Sequence, residues 1–176
     1  VLALNFRAGN LFMAERLHEA KVVTEEFLTI AREQEFPFWI SWGVVQTGFF
    51  HVYSGNMIEG LRTMEEGFEL FERTGARLGE PQLRAMLAGA CGMAGQIDHG
   101  LDLVDEGLKH FGESRSDWYL SELYGARARL LMLKGDDDSL KEAERLLRNA
   151  IDRCNSIDAV VPRMKYEQAL NELAGC

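Results

Sequence analysis

The sequence predicts an all-α fold of repeated helix hairpins, for three reasons. Apolar residues recur at spacings of three and four, which places them on one face of a helix. Small residues recur every 40 positions, and no segment shows the apolar–polar alternation of a β-strand. One apolar series and its repeat 40 residues later are Leu61, Met64, Phe68 and Phe71, then Leu101, Val104, Leu108 and Phe111.

Small residues give the clearest periodicity. The series are Ala8, Gly48, Ala88 and Ala128; Ala20, Gly60 and Gly100, with Ala143 after 43 residues; and Gly67 and Gly107, with Ala150 after 43 residues. A glycine inside a helix costs about 1 kcal/mol relative to alanine. Its recurrence therefore indicates that the two helices of each hairpin pack closely. The three extra residues fall at a predicted turn, 135–138, and turn glycines recur at Gly55, Gly95 and Gly135.

Each repeat is expected to contain one helix, a short turn and a second helix. In chain order, the predicted helices span residues 1–15, 17–34, 38–54, 57–73, 81–94, 97–111, 117–134, 139–155 and 160–174. Ser139 is expected to begin the eighth helix, and Pro162 lies in the first turn of the ninth. A lone hairpin cannot bury its apolar face, so we expect one domain, 1–176. Its repeats span approximately 1–36, 37–76, 77–116 and 117–158, followed by a terminal helix at 159–176.

Composition and charge argue against several classes of protein. A net charge of −9 argues against nucleic-acid and anionic-lipid partners. Cys91, Cys154 and Cys176 form no metal-ligand spacing, and so sparse a set fits a reducing compartment. No apolar run approaches the roughly 20 residues of a membrane span, and no signal peptide leads the chain. We expect a cytoplasmic protein, and a chain that starts at Val1 and stops in a helical pattern suggests a piece of a larger one.

The small-residue frame resembles the tetratricopeptide repeat. With Gly48 as its eighth position, Gly60 and Gly67 fall at the twentieth and twenty-seventh, where that family has small residues. Departures are Phe27, which replaces a small residue in the first repeat, and the period of 40 in place of about 34. The resemblance implies a right-handed superhelix of about four hairpins plus a terminal helix. The first helix of each hairpin would line a concave groove.

A narrower resemblance involves four short stretches. Residues 35–43, 74–79, 94–101 and 121–124 are similar to the C-terminal repeats of large bacterial signalling proteins. Those proteins join a class III cyclase, or a LuxR-type or kinase module, to an AAA-like ATPase. The resemblance implies that catalytic and ATP-binding parts would precede Val1, and that this segment has a regulatory or scaffold role.

No residue pattern indicates catalysis, so we expect no enzyme, no catalytic residue, no metal and no cofactor. Gly89, Gly92 and Gly95 lie within or at the end of a predicted helix, which does not fit a phosphate-binding loop. The adjacent carboxylates at 136–138 fit a solvated turn better than a calcium loop. His51 and Cys91 are expected in the core. An enzyme with an unrecognised site stays an alternative.

The tetratricopeptide frame implies a set of partner-binding groove residues. They are Trp42, Val45, Phe49 and Tyr53 in the second repeat, Gln82 and Met93 in the third, and Glu122, Arg129 and Met132 in the fourth. Such a surface suits an apolar peptide or helix, hence a protein-interaction or scaffold function. Packing on neighbouring domains and homo-oligomerisation stay open as alternatives. The Lys/Asn clamp with which some members hold a peptide C-terminus is missing, because Val45, Phe49 and Ala85 occupy its positions.

Overall fold

The computed structural model describes residues 1–14, 16–111 and 116–175, and within these ranges it contains nine helices and no strand. They are α1 (Leu2–Met13), α2 (Leu17–Glu33), α3 (Pro37–Tyr53), α4 (Met57–Arg73), α5 (Glu80–Met93), α6 (Ile97–Phe111), α7 (Asp117–Lys134), α8 (Asp137–Ser156) and α9 (Val160–Ala174). The predicted all-α class is confirmed, and each predicted helix ends within two residues of its observed bounds. Residue 15, predicted to end the first helix, and Cys176 lie outside the described residues.

Residues in the left-handed backbone conformation end most of these helices. The predicted turn glycines are confirmed, with φ of 90°, 75° and 77° at Gly55, Gly95 and Gly135. After α3, the Asn56 N–H donates to the His51 carbonyl oxygen at 2.9 Å, which closes the helix end. Glu35 and Asp158 adopt φ of 51° and 53° after α2 and α8 without being glycine, a conformation that is unfavourable for residues with a Cβ.

Asp136, rather than Ser139, caps the start of α8. The helix begins at Asp137, two residues before the predicted start. One Asp136 carboxylate oxygen accepts the Ser139 N–H at 2.9 Å, and the other accepts the Ser139 hydroxyl at 2.7 Å. These hydrogen bonds lower the pKa of Asp136. The expected solvated turn is therefore a helix N-cap, and Asp137 and Asp138 add favourable negative charge in the first turn.

The chain divides into two compact units, residues 1–78 with α1–α4 and residues 79–176 with α5–α9. In the first unit, glycines bring α3 and α4 into backbone contact. A Cβ on Gly48 would lie 2.6 Å from the Gly60 carbonyl oxygen, and one on Gly67 would lie 2.7 Å from the Val45 nitrogen. Increasing numbers on α3 meet decreasing numbers on α4, so this hairpin is antiparallel. The close packing predicted from the small residues is confirmed here.

The first hairpin of this unit packs on α3 through both of its helices. The Thr24 hydroxyl of α2 donates to Gln46 Oε1, and Gln46 Nε2 donates to Asn5 Oδ1 of α1, both at 2.9 Å. Phe12 of α1 contacts Phe49 of α3, with ring centroids 4.9 Å apart. Asn5 thus contacts Gln46, and Phe12, later on α1, contacts Phe49, later on α3. Residue numbers increase in the same direction on both helices, so α1 and α3 are parallel.

The second unit repeats this arrangement. A Cβ on Gly107 would lie 2.9 Å from Leu123, and one on Gly100 would lie 2.9 Å from Leu130 and 3.0 Å from the Ala88 carbonyl oxygen. Helix α6 is thus antiparallel to both α5 and α7. Towards the C-terminus of this unit, α7, α8 and α9 share one hydrophobic cluster, which contains Ala128, Ala143, Ala150, Tyr166 and Ala169. The continuous superhelix over all repeats stays a prediction. Among the described helices, none combines the length and apolarity that crossing a bilayer requires.

Candidate functional site

The predicted groove residues of the first unit are mostly buried. Val45 is only 1 % exposed because it packs on α4 at Gly67, which corrects its expected place on an open groove. Trp42 and Phe49 are also buried, so neither presents a free face. Trp42 Nε1 has no hydrogen-bond partner among the residues that the structure describes. Tyr53, in contrast, is 53 % exposed.

Tyr53 ends an aromatic row that crosses the first helices of both hairpins in this unit. The ring centroid of Phe12 lies 4.9 Å from that of Phe49 in an edge-to-face arrangement, and that of Phe49 lies 6.0 Å from Tyr53. Edge-to-face and tilted pairs are favourable geometries for aromatic side chains. The buried Phe49 therefore supports an exposed Tyr53, and we call Phe12, Phe49 and Tyr53 the aromatic row.

The predicted residues of the second unit are more accessible. Arg129 and Met93 are exposed, and Gln82, Glu122 and Met132 are half-buried. Glu122 and Arg129 lie seven residues apart on α7, two turns along the same face, and the charge of Arg129 offsets part of the rise that burial causes in the pKa of Glu122. Gln82 and Met93 lie on α5, and among the described residues no hydrogen bond or ion pair joins either side chain to Glu122 or Arg129.

Tyr166 of α9 completes this site, and sequence reasoning did not select it. The Tyr166 hydroxyl donates to Glu122 Oε1 at 3.4 Å, and its ring occupies the notch that Gly125 leaves on α7. Burial raises the pKa of Glu122, while Arg129, the Tyr166 hydroxyl and Lys165 act in the opposite direction. Burial and the neighbouring Glu122 raise the pKa of Tyr166. The only signal in the sequence was Gly125, a glycine inside a predicted helix.

A buried ion pair fixes α5 to α6 in the same unit. Arg84 Nε lies 3.0 Å from Glu80 Oε1, and Arg84 Nη1 lies 2.8 Å from Glu106 Oε2. Both Arg84 and Glu80 are buried, so their charges require this pairing. The cluster stabilises the helix pair.

A small, partly open cavity lies between α2 and α3, with a volume of about 130 Å³. His51 lines it and is half-buried, which corrects its expected place in the core. Ligand pockets usually measure about 300–1,000 Å³, so this cavity suits a few waters rather than a substrate. Cys91 is fully buried, as predicted. Among the residues that the structure describes, no group of three or more His, Cys, Asp or Glu side chains is placed to hold a metal.

Comparison with known proteins adds no relative. The chain matches no family model, and neither curated proteins nor solved structures gave a significant match. The tetratricopeptide frame thus stays a resemblance carried by the residues, and function must be argued from the surfaces described above.

Proposed function

We propose that the chain is a protein-interaction module that binds a polypeptide partner or a neighbouring domain. The observation that carries this proposal is that apolar side chains stay exposed on the first helices of the hairpins, namely Tyr53 on α3, Met93 on α5 and Leu133 on α7. Aromatic residues and methionine are enriched at protein interfaces, and methionine adapts its shape to varied partners.

The resemblance to bacterial signalling proteins supports a more specific role. We propose that this cytoplasmic segment regulates or scaffolds a larger protein, with its hairpins stacked as a right-handed superhelix. Its partner would then be a neighbouring domain of that protein or a polypeptide that carries the signal. A non-catalytic role agrees with the apolar and aromatic chemistry of Tyr53, Met93 and Leu133.

Site-specific crosslinking tests the interaction surface. A photoreactive phenylalanine analogue at position 53 should crosslink a discrete protein, identified by mass spectrometry. Ile58 on α4 is the matched control because it is an exposed apolar residue, 88 % accessible, on a second helix. In the same cells, the analogue at position 58 should give no discrete product. Equal products from both positions would contradict the proposed surface.

Homo-oligomerisation is the second candidate, and one observation favours it. Ile157, Val160, Val161 and Met164 are all exposed around the start of α9. Val160, Val161 and Met164 lie on α9, where spacings of four and three place Met164 beside both valines. Sedimentation velocity across a hundredfold concentration range should then show self-association, which Met164→Lys should abolish. A monomer at every concentration would reject this candidate.

A further inference from the structure

One face of the second unit combines two cations, Arg129 and Lys165, with one carboxyl group, that of Glu122. Arg129 lies seven residues after Glu122 on α7, which is two helical turns along the same face. Lys165 is next to Tyr166 on α9, whose hydroxyl donates to Glu122. We call Glu122, Arg129, Lys165 and Tyr166 the α7/α9 face.

Both cations act on a single carboxyl group. Burial raises the pKa of Glu122, and the charges of Arg129 and Lys165 act in the opposite direction, although neither cation lies within ion-pair distance of a carboxylate in the described part of the chain. Arg127 on the same helix differs, because it pairs with Asp105. Burial opposes the negative charge of Glu122. The α7/α9 face is therefore locally positive on a chain whose net charge is −9.

Space for a ligand exists beside Arg129. A Cβ on Gly92 of α5 would lie 2.9 Å from Leu130 and 3.1 Å from Leu133 of α7. One turn earlier on each helix, Gly89 therefore lies near the level of Arg129. No atom lies within 4 Å of the Cβ position at Gly89, which is exposed. Arg129, which is itself exposed, thus lies at the level of the open space at Gly89, and Leu133, 58 % exposed, adds an apolar edge.

We propose that the α7/α9 face binds an acidic peptide segment with apolar side chains, through Arg129 and Lys165. This rests on the proposed interaction function and names the chemistry of its partner. A carboxylate of the segment accepts hydrogen bonds from the Arg129 guanidinium, whose planar donors match it in a bidentate pair. Lys165 supplies a second positive charge, and apolar side chains of the segment pack on Leu133 and Met132.

A basic segment fits this face less well. Its cation could approach Glu122 only by also approaching Arg129 and Lys165, and like charges at close range are unfavourable. Non-specific electrostatics make the opposite prediction, since a protein of net charge −9 attracts basic peptides and repels acidic ones. A preference for acidic peptide would therefore have to come from a local site.

Fluorescence polarisation with three synthetic peptides tests the proposal. The probes are 12-residue fluorescein-labelled peptides in which leucine alternates with glutamate, with lysine or with serine. The expected order of affinity is glutamate first, then serine, then lysine. The Glu/Leu peptide should bind about tenfold more weakly to the double variant R129Q/K165Q, and raised salt should weaken its binding to the unmodified chain.

The double variant K109Q/R148Q is the matched control, since it removes the same charge from exposed positions on α6 and α8. Its affinity for the Glu/Leu peptide should change by less than about twofold, as expected for distant exposed charges. Equal losses in both double variants would overturn the proposal. So would tighter binding of the Lys/Leu or Ser/Leu peptide, although either result would leave the proposed interaction function standing. If none of the three peptides binds, the inference is overturned. Crosslinking at position 53 would then test the proposed interaction function separately.

Discussion

Replacing Gly48 by alanine tests whether α3 and α4 touch through their backbones. An added Cβ would lie 2.6 Å from the Gly60 carbonyl oxygen and 2.7 Å from the Met64 nitrogen. Ordinary contacts of a Cβ with such atoms begin near 3.4 Å. The two helices must therefore separate by several tenths of an ångström, because both obstacles are backbone atoms that cannot rotate away.

Two free-energy terms of opposite sign decide the result. Helix propensity favours alanine over glycine by about 1 kcal/mol. Overpacking of a tight interface costs about 1–3 kcal/mol, and more where the backbone must move. We expect the second term to dominate at Gly48, so that Gly48→Ala lowers the free energy of unfolding by about 1–2 kcal/mol.

Gly89→Ala is the control because Gly89 also lies within a first helix but faces open space. There only the propensity term acts, and the free energy of unfolding should rise by about 0.5–1 kcal/mol. Urea unfolding followed by circular dichroism measures both changes as shifts of the midpoint at constant slope. A stabilising or neutral Gly48→Ala would refute the close contact between α3 and α4.

Three further changes test other contacts. Gly125→Ala should overlap the Tyr166 ring, cost about 1–3 kcal/mol and raise hydrogen exchange in α9 before it affects α7. Asp158→Gly should stabilise the second unit by about 1 kcal/mol in urea unfolding, since φ of 53° suits glycine. If Asp158→Gly leaves the free energy of unfolding unchanged, the left-handed turn is not strained. The pKa of Asp136 is lowered, so its cap is intact above the ordinary carboxyl pKa and is lost as pH falls through the lowered value. The NMR shift of the Ser139 amide should follow this titration, which Asp136→Asn should abolish.

The fold could be predicted from the sequence because its main contacts repeat. Glycine inside a helix is unfavourable unless packing compensates for it, so Gly48, Gly60 and Gly67 at matched positions indicated where two helices touch. The start of α8 was misplaced because Asp136 and Ser139 are both good N-cap residues. Only the geometry shows that the Asp136 side chain accepts the Ser139 N–H.

The candidate site could be predicted only in part. The tetratricopeptide frame implied groove residues on the first helix of each hairpin, but it could not tell which of these residues α4 covers. Val45 lies three residues before Gly48, nearly one turn away, and so shares its buried side. Tyr166 was missed because its contact with Gly125 joins positions 41 residues apart, and no local pattern reports such a pair.

The same geometry separates the residues that build the fold from those that determine what it binds. The residue after each small residue lies about 100° around the helix, away from the hairpin contact. Those residues are Phe49, Gly89 and Arg129, after Gly48, Ala88 and Ala128. The equivalent position therefore holds an aromatic ring that supports Tyr53 in one repeat, a glycine beside open space in the next and an exposed cation in the third. Because Gly89 and Arg129 are exposed, exchanging them should alter binding while unfolding changes little, whereas the same exchange at Ala88 or Ala128 should disrupt the hairpins.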